Sequence, residues 1–133
     1  MNRKEQQALT EWLDLHRCCA VCWWPESDWR RAVEVHHIAG GAARSKGHHP
    51  KNYLRLCDRC HCVYHSGKVC GLFPDLHIGI LLTAKKESDL ENYDPEFLAK
   101  LRNRRHLGKD PEPIPEYYLE ERERNVCKST RKP

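Results

Sequence analysis

The chain has 133 residues, 39% hydrophobic and 32% charged, with eight cysteines and nine histidines. That length suits one domain of ordinary size with a modest apolar core. No apolar run nears the ~20 residues of a membrane span, and the N-terminal MNRKEQQALTEW lacks the apolar stretch of a secretory signal, so a cytoplasmic protein with no membrane contact is expected. Lys and Arg number 23 against 19 Asp and Glu, and residues 36–82 alone hold six basic and two acidic side chains. The positive excess therefore falls on the segment that also holds most of the histidines. Such a field suits a nucleic-acid backbone, although a solvated basic face would have the same composition.

The reading along the chain predicts an α+β architecture. Residues 3–16 space Ala8, Leu9, Trp12 and Leu13 for an amphipathic helix. A tight knuckle follows at residues 18–22, then a turn over residues 23–28 with Pro25 and Ser27. Residues 30–38, RRAVEVHHI, have the period-two apolar pattern of a strand. A loop rich in Gly, Ser, Arg and His leads to a second short strand at residues 53–56. Cys57-Asp58-Arg59-Cys60 forms a second knuckle, and a short helix runs on through Val63 and His65 to stop near Gly67.

Residues 70–84 read as apolar and irregular. Asp94-Pro95-Glu96 is a helix start, with Asp as N-cap and Pro at the first helical position. That helix is expected to reach Leu107 and end at Gly108, with Phe97, Leu98 and Leu101 on one face. Lys100, Arg102, Arg104 and Arg105 would give it a basic side that widens a nucleic-acid footprint. KDPEPIP at residues 109–115 reads as a linker or extended arm. A last helix over residues 116–125 and a frayed end complete the chain. The segments so delimited are residues 1–17, a core at 18–70 and a helical extension at 71–133.

Two constellations carry chemistry. Cys19-x-x-Cys22 and Cys57-x-x-Cys60 can each chelate one edge of a tetrahedral ion, and together they would make a four-thiolate zinc site. In a reducing compartment this pattern points to metal and away from disulfides. Cys18 rivals Cys19, but at a poorer spacing from Cys22. Cys62, Cys70 and Cys127 lack a partner at ligand spacing and read as small apolar residues. The second constellation is histidine. His61 and His65, four residues apart on the expected helix, share a face. His36 and His37 end the first strand, where one could ligate a divalent ion while the other reaches a water. His48 and His49 read as surface residues, and His16, His77 and His106 as ordinary. Trp12, Trp23, Trp24 and Trp29 read as core around the zinc.

Taken as an ordered set, Val35-His36-His37-Ile38, then Asn52-x-Leu54-x-Leu56-Cys57-x-x-Cys60-His61, then His65-x-Gly67 resemble the HNH endonuclease motif in its zinc-bearing form. The resemblance covers residues 18–68 and implies a ββα-metal core. It further implies that His37 is the general base and that His36, His61 and His65 hold a catalytic divalent metal. Asn52 would bond the loop backbone and keep His37 oriented, and Cys19, Cys22, Cys57 and Cys60 would hold structural zinc. Many family members have Asp where this chain has His36. Three imidazoles favour Zn, Ni or Mn over Mg, which prefers oxygen ligands. The implied activity is hydrolysis of phosphodiester bonds in double-stranded DNA, within phage or mobile-element machinery. Arg44, Lys46, Lys51, Arg55 and Arg59 stand as candidates for backbone contacts. The competing class is a zinc-dependent DNA-binding or adaptor module that does not cut.

Overall fold

Five α-helices and one two-stranded sheet make up a small α+β fold in the computed structural model, which describes residues 1–40, 47–66, 72–101 and 110–125. Helix α1 (Arg3–Leu15) opens on a reciprocal cap. Asn2 accepts from the Glu5 N–H while the Glu5 carboxylate accepts from the Asn2 N–H, both at 2.8 Å. Strand β1 (Val33–His37) pairs antiparallel with β2 (Tyr53–Cys57), with His36 opposite Leu54 and His37 opposite Tyr53. The strand expected from residue 30 begins three residues later. Asp28 accepts from the Arg30 backbone N–H, and its carbonyl accepts from the Arg31 N–H, so these residues close a turn and cannot join the ladder.

Every residue of β2 is buried, so this strand is the centre of the molecule. Helix α2 (Asp58–Ser66) leaves it directly and turns its Cys60 and Val63 inward. The apolar segment read as irregular is corrected: from Ile78 to Ser88 it is helix α3, with Leu81, Ala84 and Lys85 fully buried. Buried on most sides, it lacks the polar face that marks an amphipathic helix. Gly79 lies where another segment comes very close. A β-carbon there would run into the Glu112 side chain, because residues 110–115 run over the start of α3 and the Glu112 N–H bonds the Gly79 carbonyl.

Helix α4 spans Pro95–Lys100, capped by Asp94 as expected. It ends earlier than predicted, because the Leu101 N–H folds back to the Leu98 carbonyl and the Leu101 side chain turns into the core. Arg102, Arg104, Arg105 and the expected terminator Gly108 lie outside the described residues. Helix α5 (Glu116–Arg124) packs through Tyr118, Glu121 and Arg122. One cluster of buried side chains joins Cys19–Cys22, Ile38 and Ala39, β2, α2, α3, Leu98, Leu101, Ile114 and Tyr118. Its members come from both the expected core and the expected extension. Among the described residues, no helix is long and apolar enough to cross a membrane.

Candidate metal centres and the histidine cluster

The first knuckle is shaped by its own backbone. The Cys19 N–H bonds the Trp24 carbonyl, and the Trp23 N–H bonds the Cys19 carbonyl, both at 2.9 Å. Trp23 takes φ 65°, a left-handed conformation that a β-carbon disfavours. Its indole lies under the guanidinium of Arg122, 4.7 Å from ring centre to Cζ. The second knuckle sits at the end of β2, where the Cys60 N–H points at the Cys57 sulfur, 3.4 Å away.

Strand pairing brings these knuckles together. The sulfurs of Cys19, Cys22, Cys57 and Cys60 lie within 4.8 Å of one another, and all four residues are buried. Cys22 and Cys57 Sγ are 3.7 Å apart. Two sulfurs on a tetrahedral zinc, each at about 2.3 Å, are about 3.8 Å apart, so the donor set fits such an ion. Arg31 reaches the sulfurs of Cys22 and Cys57 at 3.9 Å, and Arg59 reaches that of Cys60 at 3.7 Å. Two guanidinium groups thus face a cluster whose thiolates with a divalent ion would carry net negative charge. Burial pushes the Cys19 thiol well up, whereas hydrogen bonds from Cys19, Cys22 and Cys60 hold Cys57 far down. Cys18, the rival ligand, lies outside the cluster and pairs with Pro25 in an isolated bridge.

On the other side of the β2–α2 junction, three imidazoles meet. His36, the second-last residue of β1, faces α2, and His61 and His65 come from successive turns of α2. His36 Nδ1 is 3.3 Å from His61 Nε2, and His65 Nε2 is 3.0 Å from the same atom. One nitrogen from each ring lies within 4.8 Å of the others. Donors at about 2.1 Å from a tetrahedral ion are about 3.4 Å apart, so this set also has ion-binding dimensions. Glu34, two residues before His36 on the same strand face, accepts at 3.2 Å from His61 Nδ1. That bond fixes the His61 tautomer that turns Nε2 toward the other rings. Sequence reasoning passed over Glu34, although its i−2 spacing from His36 on a strand was the available signal.

Alternation sends the His37 ring elsewhere. It packs edge-on against Tyr53 and His48, with centroids 5.4 and 5.5 Å away. Asn52 is fully buried and ties the backbone around it. Its Oδ1 accepts from the Ala39 N–H at 2.7 Å, and its Nδ2 donates to the carbonyls of Ala39 and Gly47 at 3.0 and 3.1 Å. Its own carbonyl accepts from the Ile38 N–H at 2.9 Å. One side chain therefore pins the backbone just after His37 and just before His48.

The basic candidates divide. Arg44 and Lys46 lie outside the described residues. Lys51 forms an ion pair with Asp94 at 2.9 Å and stays about one-third exposed. Arg55 is corrected: only 5% exposed, it donates to the carbonyls of His16 and Val33 at 2.7 and 2.8 Å and to Glu26 at 3.0 Å. Its place opposite Val35 in the sheet turns it inward, and three acceptors there replace water. Arg59 is corrected likewise, since its guanidinium pairs with Glu121 and lies over the ring of Phe73. The tryptophans also divide. Trp24 is buried under Arg31 near the sulfurs, whereas Trp12 is buried away from them against Tyr53 and His16. Trp29 departs from the expectation, at 89% exposed on the turn before β1. No protein-family profile, curated protein or solved structure matches this chain.

Proposed function

We propose that this chain is a metal-dependent endonuclease of the HNH type that hydrolyses DNA phosphodiester bonds. The observation that carries the reading is the convergence of His36, His61 and His65 on a point that fits a divalent ion. The next residue of β1 supplies a fourth imidazole, His37, on backbone pinned by Asn52. A structural ion or an interaction surface does not call for this second, nitrogen-rich cluster next to a sulfur site.

In this reading His36, His61 and His65 hold the ion, and Glu34 steadies His61. A bound ion would supply Lewis-acid stabilisation of charge on the scissile phosphate and the departing 3′ oxygen. His37 accepts the proton of the attacking water, a task that suits a neutral imidazole. Asn52 holds the backbone that carries His37 through its bonds to Ala39 and Gly47. Cys19, Cys22, Cys57 and Cys60 hold zinc as a structural ion, fastening both knuckles to the sheet beneath the histidines.

Supercoiled plasmid incubated with the protein and Mn, Ni, Mg or Zn tests the reading. The expected result is nicking with at least one ion, and a loss of about 100-fold or more in His37→Ala, the usual reach of general-base catalysis. Undiminished nicking by His37→Ala would remove His37 from its role. DNA binding without nicking under every ion would favour the non-catalytic module.

A further inference from the structure

The most unusual buried group outside the histidine and sulfur clusters is an ammonium ion. Lys85, on α3, is fully buried, and its Nζ donates to three acceptors. These are the Pro50 carbonyl at 2.7 Å, the Tyr53 carbonyl at 2.8 Å and Asp89 Oδ2 at 2.6 Å. An ammonium has three N–H donors, so this one is fully satisfied. Asp89 in turn accepts from the Trp12 indole N–H at 2.8 Å and from Asn92, and lies 3.5 Å from His16 Nε2. Burial pulls the Lys85 ammonium down against the attraction of Asp89. Burial pushes Asp89 up, but its bonds from His16, Lys85 and Trp12 more than offset that and hold it ionised.

A buried ion pair is a poor way to gain stability, since apolar residues of similar volume do as well or better. What the pair holds is therefore informative. Pro50 and Tyr53 bracket the 3-10 turn Pro50–Asn52, and the Tyr53 N–H also bonds the Pro50 carbonyl. The ammonium grips both ends of the turn that presents Asn52. Asn52 fixes the backbone after His37, and the ring of Tyr53 packs on His37 itself. The chain of contacts runs from α3 through one cation to the histidine assigned as base.

We infer that Lys85, with Asp89, is a positioning pair for the candidate active site, setting the Asn52 turn and through it the His37 ring. This rests on the nuclease reading for its catalytic consequence, and on geometry alone for its structural one. Neither residue belongs to the segment that carries the motif.

The test uses the full chain loaded with zinc. Lys85→Met alone would strand a buried carboxylate, so the main variant is Lys85→Met/Asp89→Asn, which keeps an acceptor for Trp12. Amide hydrogen exchange is the first readout. Protection of the Ile38 and Ala39 amides, which bond Asn52, is expected to fall at least tenfold. The Ala20 and Asp58 amides, which bond the Arg55 and Ala32 carbonyls, should keep theirs. Nicking is the second readout, with kcat lowered at least tenfold and KM for DNA within about twofold. A folded variant with Ile38 and Ala39 as protected as in the parent overturns the inference. So does a uniform loss of protection at all four amides, which would mark a merely structural pair. A parent protein that nicks no DNA defeats the nuclease reading, while the exchange result still decides the positioning.

Discussion

Arg55 separates two physical roles that a basic residue can have, and Arg55→Lys tells them apart. The substitution keeps the charge but removes the planar fork. In the structure that fork spans carbonyls from two distant segments, His16 and Val33, and adds Glu26. A lysine ammonium can satisfy one of these carbonyls and leaves the other without its charged donor. Such a bond contributes ~1.5–3 kcal/mol. The Glu26 pair adds under ~1 kcal/mol, because that carboxylate is 38% exposed and screened. The expected loss is therefore ~2–4 kcal/mol, a large share of the ~5–15 kcal/mol of a typical domain. At this size it corresponds to a Tm lower by roughly 10 °C. Urea unfolding of zinc-loaded protein, followed by tryptophan fluorescence, measures it. A DNA titration at several salt concentrations gives the companion result, an unchanged slope of log K against log salt in Arg55→Gln. A phosphate contact would behave in the opposite way: Arg55→Lys would be neutral, and Arg55→Gln would lower the slope by about one. Arg55→Lys within ~0.5 kcal/mol of the parent would refute the anchoring role.

Two further outcomes follow from the same geometry. Chelation of zinc under reducing conditions is expected to unfold the protein, since a structural zinc site contributes ~10 kcal/mol or more, comparable with the whole stability of a small domain. Circular dichroism with metal analysis checks this, and Cys19→Ser should lose one zinc per chain while His36→Ala keeps the thiolate-bound ion. The second outcome concerns acid. Asp89 is pushed up by burial but held below its ordinary 3.8 by His16, Lys85 and Trp12. A depressed carboxyl adds stability that is complete above 3.8 and lost as pH falls toward the lower folded value. Asp89→Asn should therefore flatten the acid limb of unfolding free energy against pH below about 4, measured by urea titration at each pH. An unchanged limb would show that Asp89 is not held as described.

Local signals were readable where they were self-contained. Asp94 and Pro95 start α4, and the two C-x-x-C pairs converge, because spacing alone restricts what those residues can do. Helix α3 was illegible because its burial comes from segments far along the chain. A helix with residues 110–115, α5 and β2 against it exposes only Lys86 and Glu87 near its end, too little solvent face to set a period. Arg55 misled for the same reason: nothing local says that Glu26 and the His16 carbonyl wait for it. Nothing near Asp89 and Lys85 in the sequence marks them as buried partners, since the indole N–H that bonds Asp89 comes from Trp12, 77 residues earlier. His36 and His37 were legible as a pair, and strand alternation correctly separates their rings. Glu34, which orients His61, shares a strand face with His36, but its pairing depends on how α2 packs on β1, which no local pattern states.

The way α5 closes over the first knuckle bears on how the chain is made. Arg122 donates to the carbonyls of Ala20 and Val21, and Asn125 to that of Cys22, across 101 to 103 residues. A ribosome adding ~5–20 residues per second needs roughly 5–20 s to lengthen a nascent chain by that much. For the later part of that interval Cys19 and Cys22 have emerged from the ribosome with their clasp still unsynthesised. Thiols waiting that long are open to oxidation and to capture of the wrong ion, so early loading with the right one protects every later step of assembly.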